Sequence, residues 1–144
     1  MKTSIAHYYR RQGRDFVSGS TRSNIGLWVS TYWRAVGDSP DVGAEIVAAL
    51  DAGEAAPPPD LQSRDMTMPW TDPMVNLAGV RSNKAWMTGT VAVFIERDDT
   101  TYAVERAKND GKGFEGTGEQ KVLVNPSTAE LGAAVEAYLD LPSR

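Results

Sequence analysis

The amino-acid sequence predicts an α+β fold, in which one antiparallel sheet, possibly divided into two halves, packs against two amphipathic helices. Segments rich in β-branched and aromatic residues are separated by turn signals, which is typical of antiparallel strands. Two Ala-rich segments carry apolar residues at i, i+4 and i+8, the spacing that forms one face of a helix. Because these two segments also resemble each other, the sequence suggests that the fold contains a duplicated unit.

The two helices are predicted at residues 39–52 and 128–140. Their apolar stripes are expected to be buried against the sheet, since an amphipathic helix places its apolar face toward the core. The stripes consist of Val42, Ile46 and Leu50 in the first helix, and of Leu131, Val135 and Leu139 in the second.

Both helices start with residues suited to capping. Ser127 and Glu130 have the spacing of a capping box, in which each side chain accepts a backbone hydrogen bond of the first turn. Asp38 and Asp41 occupy the corresponding positions before the first helix. The two helices are therefore predicted to begin in the same way.

A glycine in the first turn of each helix is the second shared feature. Gly43 and Gly132 each cost ~1 kcal/mol of helix stability relative to Ala, and a close approach of the backbone to a sheet would explain them. We interpret the chain as one domain, residues 1–144, built from two strand-strand-helix units at about 15–53 and 84–141. A Pro-rich segment, 54–83, joins the units. Two short Ala-rich helices that are alike only in composition are the alternative.

Strands are predicted wherever β-branched and aromatic residues are dense. The strongest segment in the first half is 25–33. In the second half, 91–97 and 101–106 form a hairpin around Asp98-Asp99-Thr100, and 121–124 is the last strand.

The N-terminal residues are more polar, and the sequence favours less structure there. We predict a short strand at 15–18 and a turn at 19–24. Tyr8 and Tyr9 are expected to lie over the sheet edge, with packed stems and solvated hydroxyl groups. His7, the single histidine of the chain, is expected at the surface.

The middle of the chain, from Glu54 to about Arg81, shows no lasting periodicity although it is rich in apolar residues. Pro57-Pro58-Pro59 imposes an extended, stiff stretch. The segment 66–70, with Met, Pro and Trp, is interpreted as a plug over the core, with a ligand site as the alternative, and 72–77 as a short helical turn.

Composition excludes several classes of protein. Hydrophobic residues make up 41% and charged residues 24% of the chain, as in ordinary folded domains. No apolar run approaches the ~20 residues of a membrane span, and the first residues lack the apolar middle of a signal peptide, so a cytoplasmic location is expected. The absence of cysteine excludes disulfides, thiolate nucleophiles and Cys-based zinc sites.

No combination of residues predicts catalysis or a cofactor. The single histidine belongs to no motif that would place a nucleophile and an orienting group beside it. The glycine-rich segment 111–118 precedes a strand, whereas a phosphate cradle leads into a helix. Asp98 and Asp99 are adjacent acids at a hairpin tip, which are usually only solvated. We therefore expect a non-enzymatic protein without cofactor or metal.

Helix 128–140 carries the residues of a family resemblance. Glu130-Leu131-Gly132-Ala133-Ala134-Val135, preceded by strands rich in Val, Ile and aromatic residues, resembles the immunity proteins of bacterial contact-dependent growth inhibition systems. The resemblance is to members built from a repeated sheet-plus-helix unit. Asp41-Val42-Gly43-Ala44-Glu45-Ile46 is similar to the same signature in the first half. Together they cover about two-thirds of the chain.

This resemblance implies a non-catalytic inhibitor that binds the C-terminal domain of a cognate toxin, commonly a nuclease, in the cytoplasm. The net charge of −4 suits a basic partner. Acids in or beside turns are the candidate contacts, because loops on a scaffold display binding residues. These candidates are Asp98, Asp99, Asp110, Glu115 and Glu119. Solvated loop acids without a binding role are the alternative, and the sequence does not indicate an oligomeric state.

The family fold is also similar to that of the Whirly single-stranded-DNA binders, which makes a nucleic-acid-binding module the alternative function. Such a module needs a basic groove with interleaved aromatic residues. The residues that could form one are Arg10, Arg11, Arg14, Arg22, Trp28, Tyr32 and Arg34. The overall negative charge opposes this function.

Overall fold

A computed structural model of the chain describes residues 3–37, 40–60, 73–111 and 113–141. In these residues it contains six strands and four helices. The strands are β1 (Thr3–Arg11), β2 (Arg14–Arg22), β3 (Trp28–Val36), β4 (Thr90–Asp98), β5 (Thr101–Asn109) and β6 (Phe114–Val124). The helices are α1 (Val42–Ala55), α2 (Pro73–Ala78), α3 (Asn83–Met87) and α4 (Thr128–Leu139).

All six strands form one antiparallel sheet, in the order β3-β2-β1-β4-β5-β6. The α+β prediction is confirmed, with one continuous sheet in place of two. The first strand of each half, β1 or β4, lies at the centre, and three strands precede the long helix in both halves. The sequence predicted two strands in each unit, and the unit boundaries at about 15–53 and 84–141 stay a prediction. Duplication itself stays a prediction.

The two long helices cover one face of the sheet, which we call the helix face. Ile46, Leu50 and Val135 are fully buried there and Leu139 is only 6% exposed, so the predicted apolar stripes do face the core. They pack against central strand residues that include Tyr8 and the aliphatic side chains of β4. None of the helices in the described residues is long and apolar enough to cross a membrane.

The helix caps follow from the sequence. Ser127 and Glu130 form the predicted capping box at the start of α4. At α1, the Asp41 side chain accepts a hydrogen bond from the backbone N–H of Ala44. Asp38, predicted to share this role, lies outside the described residues.

Gly43 is required because α1 and α4 approach each other closely. A Cβ atom at Gly43 would lie 1.8 Å from the backbone oxygen of Thr128, and one at Gly132 would lie 3.1 Å from the backbone nitrogen of Gly43. The close approach expected at these glycines exists, but it is between the two helices and not between a helix and the sheet.

The N-terminal predictions were largely wrong. Residues 19–22, read as a turn, belong to β2, and β1 was not predicted at all. Tyr8 is fully buried and Tyr9 is 7% exposed, so neither lies at a sheet edge. Strand β1 tolerates polar groups in the core because neighbouring residues form hydrogen bonds with them. The Tyr8 hydroxyl, for example, donates to Asp15 over 2.6 Å.

The second face of the sheet is covered at one end by α2 and α3. Trp86 of α3 is buried edge-on against Tyr9 and Phe16, with ring centroids 5.4 Å from each. Helix α2 confirms the helical turn expected at 72–77 within its described part. The segment 66–70, interpreted as a plug, lies outside the described residues.

His7 lies on this second face and is half-buried, not at the surface as expected. Its ring packs against Phe94 at 4.3 Å between centroids, and Nδ1 lies 3.2 Å from the Tyr9 hydroxyl. Burial lowers the pKa of His7 from 6.5 to about 4. The imidazole is therefore neutral in the folded protein near neutral pH.

The helix contact predicts that Gly43→Ala destabilises the protein. Ala in a helix would by itself stabilise by up to about 1 kcal/mol, whereas overpacking against backbone costs about 1–3 kcal/mol. We expect a net loss of about 2 kcal/mol in urea unfolding. Gly37→Ala is the control, because its Cβ would meet nothing within 4 Å. Equal stability of the two variants would contradict the helix contact.

The buried histidine predicts a pH dependence of stability. Between pH 6.5 and about 4 the unfolded chain protonates His7 and the folded chain does not. Stability is therefore complete above pH 6.5 and falls as the pH decreases through this range, by at most about 3 kcal/mol. Urea unfolding of wild type and His7→Gln at several pH values measures the contribution of His7 to the pH dependence of the free energy of unfolding. Parallel pH profiles of the two proteins would show that His7 does not cause it.

Candidate partner-binding surface

The β4–β5 turn carries two of the five acids predicted to bind a partner. Asp99 is exposed and adopts a left-handed backbone conformation with φ of 56°, which Asp tolerates better than most residues in tight turns. Asp98 is half-buried and accepts a hydrogen bond from the Thr3 hydroxyl of β1. Asp99 is therefore free to meet a partner, whereas Asp98 also holds the end of β1.

Two further acids, Asp110 and Glu115, lie at the opposite end of the sheet. Strand β5 has nine residues, so roughly 30 Å separates its two ends. Asp110 closes the β5–β6 turn, since its carboxylate accepts the backbone N–H of Gly113 at 2.8 Å. Glu115 is exposed and pairs across the strands with Lys108. These acids do not share a surface with Asp98 and Asp99.

Glu119, the fifth acid, is in the irregular part of β6, where the register with β5 shifts. Its carboxylate lies 3.6 Å from the guanidinium of Arg106, which is 8% exposed. Since Arg106 is opposite the core residue Val93, this ion pair is on the helix face. The structure thus distributes the five acids over three places. The last strand, predicted at 121–124, also starts earlier, because residues 114–118 of the glycine-rich segment belong to β6.

The end of the second face that α2 and α3 leave uncovered forms a coherent surface, which we call the acidic face. It consists of three rows of paired residues crossing β1, β4, β5 and β6. These rows are Thr3, Asp98, Thr101 and Val124; Ile5, Glu96, Ala103 and Val122; and His7, Phe94, Glu105 and Gln120.

These three rows hold three carboxylates and no lysine or arginine. Glu96 is exposed to solvent, and Glu105 is half-buried with one carboxylate oxygen accepting the Gly118 N–H at 2.9 Å. Asp98 completes the set. With His7 neutral, the surface is negatively charged at neutral pH.

Sequence reasoning found Asp98 and missed Glu96 and Glu105. The signal was present as strict alternation: Glu96 stands between the core residues Ile95 and Arg97, and Glu105 follows the buried Val104. Their common face, however, depends on strand register, which only the structure supplies.

Apart from Arg11 at the end of β1, the basic residues of the same strands are on the helix face, where alternation and register place them opposite core positions. They are Arg10, Arg97, Arg106, Lys108 and Lys121. The three rows of the acidic face therefore carry acids without bases, whereas these five bases lie on the side of α1 and α4, where Glu119 also lies.

Arg10 shows how tightly one of these bases is held. Its guanidinium donates to Asp15 at 2.7 and 2.9 Å and to Glu136 of α4 at 2.8 Å twice. The hydrogen bonds that Arg10 donates to Asp15 and Glu136 raise its pKa above the ordinary value. Burial, and then the hydrogen bond to Asp15, raise the pKa of Tyr8 beside it.

Arg97 makes the corresponding link to the other helix. It is 8% exposed and lies 2.9 Å from the Asp51 carboxylate and 3.3 Å from that of Glu54, both on α1. Arg10 of β1 thus reaches α4, and Arg97 of β4 reaches α1. These arginines are engaged within the fold.

Apolar side chains on the acidic face are unusually exposed. Val122 is 59% and Val124 is 74% exposed on the edge strand β6. Between them and β1, the face contains a shallow cavity of about 170 Å³ lined by Ile5, Glu96 and Glu105 among others. A larger cavity of about 520 Å³ opens on the helix face, beside Arg106 and Tyr138.

The residues considered for a nucleic-acid groove do not form one groove. Arg10 is on the helix face, and Arg34 there pairs with Glu45 of α1 at 2.7 Å. Arg11 and Arg14 instead donate to backbone oxygens of Ala85 and Ala78 beside the second face. Within the described ranges, no group of three His, Asp or Glu side chains is arranged to hold a metal ion.

The sequence matches no known family model and no curated protein. The fold, however, is similar to solved structures. A protein of unknown function from Neisseria meningitidis has a TM-score of 0.72 and 12% identity, over 96% of this chain and 94% of that one. A chain of the CdiA-CT/CdiI toxin and immunity complex from Yersinia pseudotuberculosis has a TM-score of 0.65 and 16% identity, over 96% and 97%. At these identities the similarity establishes the fold alone.

Proposed function

We propose that this protein is an immunity protein of a contact-dependent growth inhibition system. It binds the C-terminal domain of a cognate bacterial toxin in the cytoplasm and neutralises it without chemistry of its own. One observation carries the proposal: the fold agrees over 96% of this chain with a chain of a toxin and immunity complex, and over 97% of that chain.

A nuclease is the toxin class that suits the electrostatics of this protein. Enzymes that bind nucleic acid use basic surfaces to hold the phosphate backbone. This chain has a net charge of −4 and exposes acids on one sheet face and at both ends of β5. Opposite potentials accelerate association and favour the correct partner over others.

Among the five candidate acids, Asp98 and Asp99 are the best placed to act together. They are adjacent at a turn, and the side chain of Asp99 is exposed to solvent there. Asp110, Glu115 and Glu119 remain candidate contacts of a toxin that covers the opposite end of β5. A single small interface does not include both groups, given the roughly 30 Å between them.

Protection from a toxin tests the function directly. The probe is the C-terminal domain of a large secreted protein encoded next to this gene, produced in cells with and without the present chain. We expect growth to be rescued and the two purified proteins to form a stable complex. Growth arrest despite folded inhibitor, together with no complex, would refute the proposed function.

Charge reversal tests the acids at the β4–β5 turn. The double variant Asp98→Lys/Asp99→Lys should associate more slowly, with a rate that depends less on salt, because rim charges act mainly on association. Asp99→Lys alone avoids losing the Thr3 hydrogen bond, and Glu115→Lys reports on the opposite end of β5. Wild-type association rates for all three variants would exclude these acids as contacts.

A further inference from the structure

We propose that the acidic face docks a basic segment of the partner, whose lysine or arginine side chains lie across β4, β5 and β6. The inference rests on the proposed function for the identity of the partner as a toxin. It moves the centre of the interface from the β4–β5 turn to the sheet face beside it, and Asp98 becomes part of its rim.

Charge is the first argument for a basic occupant. The twelve positions of the face hold Glu96, Asp98 and Glu105 without a lysine or arginine, whereas the bases next to these positions along β4, β5 and β6 are on the helix face. Several of those bases are paired within the fold, as Arg10 and Arg97 are. The negative potential of the acidic face is therefore not neutralised by side chains of its own rows.

Exposed aliphatic surface is the second and independent argument. Val122 and Val124 are 59% and 74% exposed. Exposed valines on an edge strand favour association with another molecule. Together with Ile5 and Ala103 they give the face an apolar component beside its carboxylates. Lysine and arginine have long aliphatic stems and charged tips, so a basic segment contacts both components at once.

Other occupants are less compatible with the same observations. A second copy of this chain would bring Glu96, Asp98 and Glu105 against the same three carboxylates, which repel. Nucleic acid would bring phosphates, which the face also repels. A cationic protein segment has the complementary charge and the required apolar stems.

The test uses two synthetic peptides and the full chain. One peptide alternates lysine and valine, and the other alternates glutamate and valine. In heteronuclear NMR titrations we expect the basic peptide to shift the amide signals of Ile5, Glu96, Ala103 and Val122, with saturation and with loss of affinity as salt increases. The acidic peptide should cause no such shifts.

Two matched variants determine whether the face itself is responsible. Glu96→Gln and Asp140→Asn each remove one negative charge, but Asp140 is the C-cap of α4 on the helix side, 3.7 Å from Arg10. Glu96→Gln should weaken binding of the basic peptide severalfold. Glu96→Lys should weaken it about tenfold or more, because the new lysine also repels the lysines of the peptide. Asp140→Asn should bind like wild type. Equal weakening by Glu96→Gln and Asp140→Asn, or shifts on the helix face, would overturn the proposal.

The outcomes also separate this inference from the proposed function. If the neighbouring toxin is neutralised equally well by wild type and Glu96→Lys, the acidic face is not the interface, although the function stands. If the basic peptide binds the face but no toxin is neutralised, the function fails and the docking surface stands. Sedimentation tests the remaining occupant: a dimer that Val124→Asp dissociates would make the face a self-interface and overturn the proposal.

Discussion

The close contact between α1 and α4 is the constraint on which the rest of the structure depends. Six strands spaced ~4.8 Å apart are too wide for one helix of ~10 Å diameter to cover. Two helices cover them only if no gap opens above the central strands. Gly43 permits this, because any side chain there would strike the backbone of Thr128. Gly19 has the same role beneath α1, where a Cβ would lie 2.1 Å from the Ala49 oxygen.

Ion pairs then fix the orientation of the helices on the sheet. Arg10 and Arg97 start from the two central strands, and each reaches the helix of the other half of the chain. This use of arginine has an electrostatic consequence for the opposite face. Strand alternation sends neighbouring residues to opposite sides, so strands that place their bases beside the helices leave Glu96, Asp98 and Glu105 on the other side.

The fold was predictable from sequence where local signals determine the structure. The capping box at Ser127 and the i, i+4 spacing of the apolar residues located α4, and the turn at Asp98 located the β4–β5 hairpin. A strand was predicted at 15–18, but residues 19–22 of β2 were missed because their polar side chains find partners only in the fold. Thr21, for example, donates to the Gly53 oxygen of α1 at 2.7 Å. The acids were grouped by proximity in sequence, whereas strand reversal separates them and register assembles a different set.

The central position of β1 has a consequence for how the chain folds during synthesis. Thr3 leaves the ribosome well before Asp98, the residue with which it pairs. Until then β1 has a neighbour on only one side, and Tyr8 and Ala6 lack the helix pair that buries them. Pairing of segments so far apart in sequence requires a large loop to close, which slows folding. Strand β1 thus depends on segments that are made later, β4 to α4, for its second neighbour and for the completed sheet.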